Sequence, residues 1–480
     1  MAGTLAASPG PLLTPSSVKA TLPTNYITNF DFLNQYLPDT YEQEFERYGN
    51  RSIASFLRMV GAELPTNSDL IKWAEQGRLH TKYTNVVPSS AAGSDTATFT
   101  MPTTSPVTVC NFRVNQTVFL SSQTIGANSA KAVVSAVATD GSTFTVKFYN
   151  ASGSPFTITT ELVTAFVYGS EFSKGKEGMD GSLEAQDLFF DNKPIIIKDK
   201  YAVSGSDMAQ VGWVEVTTEN GATGYYWYMK SEHETRLRFE DYLEMSMVEG
   251  VRAETGSDAL AYLSKSTDSA PGSGPGSTAA GTQGMFAAIE ARGNIWAGGN
   301  PSSLGDFDTI VQRLDKQGAI AENVLFLNRQ FSFDIDDMLA AQNSYGAGGT
   351  SYGLFDNSEE MALNLGFSGF RRGYEFYKTD WKYLNDATLR GGIVGGAING
   401  VLVPAGTMSV YDQVLGKNAK RPFLHVRYRA SEAENRRYKT WMTGSAGGVQ
   451  TSDLDAMEVN FLSARALCTL GANNFFLFKG

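Results

Sequence analysis

The hydrophobic positions change period several times along the chain, and each change marks an element. Phe239, Tyr242, Leu243, Ser246, Met247, Gly250 and Val251 recur at i, i+3, i+4, i+7, i+8, i+11 and i+12. That spacing winds one apolar stripe along a helix, leaving Glu240, Asp241, Glu244 and Glu249 off it. Ser231 and Glu234 stand in the S-x-x-E order of a capping box, and Glu234 precedes Arg238 by four residues, the favourable order for a helical ion pair. A long scaffold helix is therefore expected from Ser231 to a stop near Gly256. Shorter helical periods fall at Tyr41, Phe45 and Tyr48, at Ile53, Phe56, Leu57 and Val60, and at Leu70, Trp73 and Ala74.

Between Val86 and Gly169 the pattern becomes one of strands. Thr, Val, Ser and Ala dominate, with Asp95, Arg113, Lys131, Asp140, Lys147 and Glu161 as the charged residues. Asp140-Gly141 divides two runs, and Phe144, Val146 and Phe148 alternate with Thr145 and Lys147, which predicts a hairpin inside a small antiparallel barrel or sandwich. PIIIKDKYAVSG and QVGWVEV then read as two extended runs separated by Ser204 to Asp207, a β arm returning toward the long helix. After that helix, SKSTDSAPGSGPGSTAAGTQG is a low-complexity loop. Beyond it FDTIVQRLDKQG, ENVLFLN and FDIDDMLAAQ give helix, buried strand and helix, an α/β unit. GYEFYKTDW, GVLVPAG and RPFLHVRYR are strand-like. So is the C-terminal stretch, where Met457, Val459 and Phe461 alternate before ARALCTL, a turn at Gly471 to Asn474, and FFLF.

At 480 residues the chain exceeds what one core usually supports, and two or three subdomains are expected. Aromatics at 12% with charged residues at 19% describe an ordered, turn-rich protein, not a disordered one. No apolar run approaches the ~18 residues a membrane span needs, and no leader pattern is present. Thirty-nine Lys and Arg against fifty Asp and Glu give a net charge of −11, which argues against a surface that grips nucleic acid all over. Two cysteines supply no disulfide framework, in keeping with a reducing compartment.

Candidate chemistry is sparse. His233 and Glu234 open an H-E-x-x-H pattern whose second histidine is replaced by Leu237, and the chain holds three histidines, so no metal site is expected. Asp334, Asp336 and Asp337 lack the ligand spacing of a calcium loop and fit the first turn of a helix, where its dipole favours acids. GSEFSKGKEG lacks the spacing of a phosphate loop and reads as a surface turn. No catalytic residue or cofactor is assigned, and no enzyme activity is expected. The one concentrated basic region comprises Lys417, Lys420, Arg421, Arg427, Arg429, Arg436, Arg437 and Lys439. It suits either a DNA-facing or an inter-subunit surface, against the plainer reading of a solvated face.

The order of these parts resembles the major capsid protein of tailed bacteriophages, the Hong Kong 97-like fold, over essentially Thr28 to Gly480. KDKYAVSG leading into FEDYLEMSMVEGVRAETG, then GVLVPAG and MEVNFLSARALCTLGANNFFLFKG, carry the likeness. The implied fold is α+β, with an N-terminal arm (1–30), helices belonging to a peripheral domain (31–85), and a small β domain (86–169) inserted in the extended β arm or E-loop. The arm and return strands (170–228), the spine helix of the peripheral domain (229–263) and a flexible loop (264–284) would follow. An α/β axial domain (285–455) and peripheral C-terminal strands (456–480) would close the chain. Such an insertion is similar to that of larger members, such as those of the crAss-like phages.

The resemblance implies self-assembly into an icosahedral shell around double-stranded DNA, in the host bacterial cytoplasm. Partners would be many copies of the chain, as hexamers and pentamers, with portal and auxiliary capsid proteins, and no membrane. The Lys–Asn cross-link some members form maps onto no residues here and is expected to be absent. Alternatives are another phage structural protein, such as a tail or fibre component, or a carbohydrate-active hydrolase with a β appendage.

Overall fold

The computed structural model describes Phe56 and residues 62–480, apart from 79, 81, 91, 104–107, 125–127, 158–160, 182–186, 210–214, 218–222, 255–256, 260–280, 319, 344–368, 413–416 and 447–449. All of these belong to one unit, Ser52–Gly480. The N-terminal arm, the helical period at Tyr41 to Tyr48 and the stop at Gly256 lie outside the described residues. So does most of the low-complexity loop.

The first described segment departs from the helical expectation. Phe56 is helical, but β1 (Ala62–Thr66) and β2 (Ile71–Gln76) are strands. Leu70, Trp73 and Ala74 have helical spacing, yet the residues that turn inward on β2 are Ile71, Trp73 and Glu75, a period of two hidden because one of them is a carboxylate. Next come β3 (Lys82–Pro88), β4 (Thr96–Thr100), β5 (Gln116–Ser122), β6 (Ser129–Val137), β7 (Thr143–Phe148) and β8 (Val163–Ser170). They close into a barrel in the order β3-β4-β7-β6-β5-β8. Gly141, at φ 69°, turns the β6–β7 hairpin, and a Cβ there would meet the Cys110 carbonyl at 2.9 Å. Val86, Phe99, Val118, Leu120, Val146 and Phe156 are fully buried in the barrel core.

From the barrel, β9 (Asp187–Asn192) returns antiparallel to β2, so the two form a ribbon. β10 (Ile195–Ser204) then enters the body, and Gly205–Ala209 forms one helical turn, α1, where a plain link between two strands was expected. Of QVGWVEV only the end is described, as β11 (Glu215–Thr217), paired with β12 (Thr223–Tyr225).

The long helix α2 runs over Tyr226–Glu249. It starts before Ser231, whose carbonyl accepts a hydrogen bond from Thr235 Oγ1 at 2.9 Å within the helix, so the S-x-x-E pair is not its cap. It ends at Glu249, because Gly250 and Gly284 pack backbone to backbone: Gly284 N–H donates to Gly250 O at 2.7 Å, and a Cβ on Gly284 would meet Gly250 N at 2.6 Å. The buried stripe is Thr235, Phe239, Leu243, Glu244, Met247 and Val248, with Tyr242 at 41% and Val251 at 69% exposure left outside it. Glu244 turns inward because its Oε1 accepts the Phe56 N–H at 2.9 Å.

The remaining chain contributes α3 (Met285–Arg292), β13 (Asn294–Trp296), α4 (Leu304–Gln317), β14 (Glu322–Leu327) and α5 (Arg329–Asn343). Then follow β15 (Gly369–Arg372), β16 (Tyr374–Asp380), a short α6 (Lys382–Asn385), β17 (Ile398–Pro404), the hairpin β18 (Thr407–Asp412) and β19 (Lys417–Pro422), and β20 (Leu424–Arg429). β21 (Lys439–Gly444), β22 (Ala456–Thr469) and β23 (Phe476–Lys479) end the chain. Ser303 and Asp306 cap α4 reciprocally, and Gly318 at φ 74° ends it. Asn328 caps α5 through Phe331 N–H at 2.8 Å. α5 thus begins before the aspartates, which are not in its first turn. Asp336 pairs with Lys378 at 2.5 Å, and Asp334 accepts from Asn300 at 2.6 Å.

Two sheets organise this half. A six-stranded sheet has the order β13-β23-β17-β14-β16-β15. A five-stranded one has β22 at its centre, with β10 along one edge and β20 and β21 along the other, β1 flanking β20 in parallel. The sheets do not respect a break at 455: β20 and β21 pair with β22, whereas the terminal β23 joins the six-stranded sheet. Helix α2 lies on the five-stranded sheet, where Phe239 stacks on Phe461 with centroids 5.6 Å apart. Met247 and Val248 continue into a core shared with Phe286, Trp381, Leu467 and Leu477.

Candidate functional site

The basic region resolves into a seam along one edge of the five-stranded sheet. β1 lies beside β20 with Glu63 opposite Val426 and Thr66 opposite Arg429, which brings its acids to the strands that carry the arginines. Arg429 pairs with Asp69, and Arg437 with Glu63. Arg436 and Lys439 share Glu434, at 3.1 and 2.9 Å, and together they hold its carboxyl below the usual range, Lys439 contributing most. Arg465, 6% exposed, donates to Ser463 Oγ at 2.9 Å and to the Arg437 carbonyl at 3.0 Å, and pairs with Glu63 at 3.4 Å. Four cations of the candidate cluster therefore meet carboxylates of their own chain. Arg427 sits on β20 opposite Ala466, while Lys417, Lys420 and Arg421 lie on β19, apart from this seam in the sheet order; the side chains of those three fall outside the described residues. Arg465 and Glu63 were not singled out in the sequence, since each is isolated there among uncharged neighbours.

The ribbon is fixed to the body by two polar hubs. Glu75 Oε1 accepts from Trp73 Nε1 at 2.9 Å, Gly471 N at 3.0 Å and Arg292 Nη1 at 3.4 Å. Arg292 lies over the Phe190 ring at 4.1 Å, and its burial pulls its pKa down against the pull of Glu75. The second hub is Asn192, 1% exposed. Its Nδ2 donates to Leu467 O at 2.7 Å and Gln283 O at 2.9 Å, while Oδ1 accepts from Gln283 N at 2.8 Å and Lys193 N at 2.9 Å. Between and beside the hubs, Leu188 opposite Glu75 and Phe189 opposite Ala74 stand 56% and 73% exposed. Apolar side chains left bare on an anchored ribbon suit contact with another surface.

A third tie secures the loop after α6. Glu249, at the end of α2, accepts from Tyr383 OH at 2.6 Å and from Arg390 through both oxygens, at 2.9 and 3.1 Å. Burial, then the Glu249 carboxylate, pushes the Tyr383 pKa up. The loop beyond carries Val394 at 92% exposure.

His233 is exposed on α2, His425 is buried with Nδ1 at 3.2 Å from Pro422 O, and Cys110 and Cys468 are buried free thiols. Among the described residues, no group of three or more His, Cys, Asp and Glu side chains is placed to hold a metal ion.

One buried carboxylate in the barrel does make a prediction. Glu161 is 2% exposed, accepting from Thr157 N at 2.7 Å and Asn128 Nδ2 at 3.0 Å. Burial alone would raise its pKa, but these donors and the Ser122 hydroxyl outweigh that and leave it lowered. A lowered folded pKa stabilises above the unfolded carboxylate range and loses that contribution as pH falls through the folded value. Unfolding followed by hydrogen exchange of the barrel's backbone amides should therefore show stability falling on acidification, with the slope reduced in Glu161→Gln. An unchanged slope would assign the acid sensitivity elsewhere.

No family model and no curated protein matches the chain. Solved structures similar to it include a chain from Microbacterium phage Oxtober96, at 8% identity over 95% of this chain and 99% of that one, with a TM-score of 0.37. The capsid of a native GTA particle matches at 10% identity, 93% and 96% coverage and a TM-score of 0.36. A chain from Gordonia phage Cozz matches at 10%, 98% and 97%, with a TM-score of 0.36. Overlaps this loose leave the functional reading to rest on the chain's own architecture.

Proposed function

We propose that this chain is the major capsid protein of a tailed phage, a non-enzymatic shell subunit of Hong Kong 97-like architecture. The observation that carries the reading is the ribbon: β2 and β9 pair beside the body, lead to and from the barrel, leave Leu188 and Phe189 exposed along their length, and are anchored by Glu75 and Asn192. A ribbon so anchored, with apolar side chains bare along it, gains stability by covering a neighbour. In this reading α2 is the spine helix and the five-stranded sheet the peripheral domain. The six-stranded sheet with α4 and α5 is the axial domain, and the barrel is an insertion in the E-loop. Copies close into hexamers and pentamers around double-stranded DNA in the host cytoplasm, with portal and auxiliary proteins completing the particle. The seam from Arg429 to Lys439 then stiffens the subunit, and Lys417, Lys420 and Arg421 remain the candidates for DNA or inter-subunit contact.

Electron microscopy and sedimentation of the expressed chain test this: rings, tubes or shells are expected at micromolar concentration, and a monomer that stays monomeric under crowding would sink it. Replacing residues 82–170 by a short linker should leave the body folded, since the barrel has its own core, and should impair assembly. Unfolding of the body in that variant would show that the barrel is part of the main core.

A further inference from the structure

β10 is an open edge of the five-stranded sheet. It pairs with β22 from Ile195 opposite Arg465 to Ser204 opposite Ala456 without a register shift, and among the described residues no strand lies on its other side. The direction of its free backbone groups follows from β22. Ala464 N–H donates to Arg436 O, on the β21 side of that strand and away from β10. Ile196, opposite Ala464, therefore turns its own N–H and C=O out of the sheet, and Lys198, Lys200 and Ala202 do the same at the period of two. Lys200 N–H donates to Asp199 Oδ1 at 2.8 Å, a carboxylate in the place of a missing strand's carbonyl. No backbone group among the described residues meets those of Ile196, Lys198 and Ala202.

Edge strands of this length are ordinarily blunted by a bulge, a proline or charge. β10 has no bulge and no proline, and its guards are Lys198 and Lys200. One guard is already neutralised, because Lys200 Nζ pairs with Glu458 at 3.0 Å. The chemistry of the edge selects its occupant: N–H and C=O groups spaced along the plane of a sheet match another extended polypeptide, whereas phosphate and sugar offer no such row. The strand's own copy fits, since β10 reversed about a two-fold axis meets itself with donors opposite acceptors. With the axis at Lys200, Ile196 faces Ser204, Lys198 faces Ala202, and the two lysines that face each other are the two held by Glu458. An axis at Asp199 would set Lys198 against Lys200 twice, which like charge disfavours. An axis at Tyr201 would leave Ile196, 55% exposed, beyond the paired strands. We propose that β10 pairs with β10 of a second copy, antiparallel about an axis at Lys200, joining two five-stranded sheets into one. The pairing goes beyond the shell reading and does not depend on it: a dimer built this way needs no further assembly, and a shell could close without it.

The test is oxidative cross-linking of the full-length chain carrying one added cysteine, read on non-reducing gels. Lys200→Cys, at the axis, should form a disulfide dimer at least about tenfold faster than Lys198→Cys, whose two copies would stand about 14 Å apart along the strands, beyond disulfide reach. The natural Cys110 and Cys468 are buried, and the parent chain supplies the background rate. Ala202→Pro removes an outward N–H, which an edge strand tolerates, so it should keep the parent's thermal melt while the dimer dissociation constant from sedimentation rises about tenfold. Equal cross-linking at the two positions, or faster cross-linking at Lys198→Cys, overturns the proposal. So does an Ala202→Pro chain that melts and dimerises like the parent. Where that variant melts early, the cysteine rates decide alone. Particles that form without the Lys200→Cys cross-link would overturn this pairing and leave the shell reading standing, whereas a cross-linked dimer that never grows larger would support the pairing and sink the shell.

Discussion

Replacing Asn192 by Asp is expected to destabilise the protein by about 3–5 kcal/mol, the largest effect of any isosteric change at the base of the arm. The side chain keeps its size, but the atom that donates to Leu467 O and Gln283 O becomes an acceptor facing two acceptors. The site is almost fully buried, so water cannot compensate. Asn192→Ala removes the same bonds without adding repulsion and should cost less, about 2–4 kcal/mol. The aspartate variant also carries a sign that can be checked. Its folded pKa would be raised above the ordinary ~3.9, so the deficit relative to the parent should shrink as pH falls and grow as pH rises. Denaturation midpoints of both variants from pH 4 to 8 would decide it. A deficit below about 1 kcal/mol, or one that does not change with pH, would mean that the hub is wetter than its geometry indicates.

The second large effect belongs to Glu63. Arg465 is buried on the central strand, and Glu63 places a carboxylate oxygen 3.4 Å from its guanidinium. Removing one partner of a buried pair costs about 3–5 kcal/mol. Glu63 is partly exposed, and Arg465 keeps its bonds to Ser463 and Arg437, so about 2–3 kcal/mol is expected for Glu63→Gln and more for Glu63→Lys. Arg437→Glu should be milder, because Arg437 is mostly exposed, and surface pairs contribute about 0–1 kcal/mol. The swap Glu63→Arg with Arg437→Glu separates the two. It restores the exposed pair but leaves Arg465 beside a like charge, so it should recover little stability. Full recovery would make Arg437, not Arg465, the partner that matters. Charge reversal across Arg436 and Arg437 is accordingly expected to loosen the β1 edge before it reports on any DNA contact.

The parts legible in the sequence are those in which one physical signal acts alone. The β6–β7 hairpin at Asp140-Gly141, the strand at Glu322–Leu327 and the helix at Leu304–Gln317 follow from period and turn chemistry. Where polar residues serve the core, the signal fails. Glu75 hides the alternation of β2, and Glu244 faces inward on α2, so the buried stripe is rotated from the one its apolar residues suggest. Ser231 and Glu234 mimic a cap in the middle of a helix, and the aspartates of α5 mimic a first turn. In both, the true start lies a turn or more earlier, at a place tertiary packing selects. The basic cluster was visible as composition, but its partners Glu63, Asp69 and Arg465 lie far away in sequence, and only the pairing of β1 with β20 and of β20 with β22 brings them together.

The barrel closes by pairing its first strand with its last, Lys82 opposite Phe166 and Val86 opposite Val163. The chain therefore leaves the ribbon at β2 and rejoins it at β9 through two points that the closed barrel itself holds side by side. For a folding chain this converts a long excursion into a tight turn. Until the barrel forms, bringing β2 to β9 carries the loop-closure entropy of the whole segment, and afterwards only that of its connections, 77–81 and 171–186. The barrel has a core of its own and can form while the body is still open, so its closure should precede ribbon pairing. By the same geometry the segment is a cassette: any domain with neighbouring termini could occupy its place and leave the ribbon paired as it is.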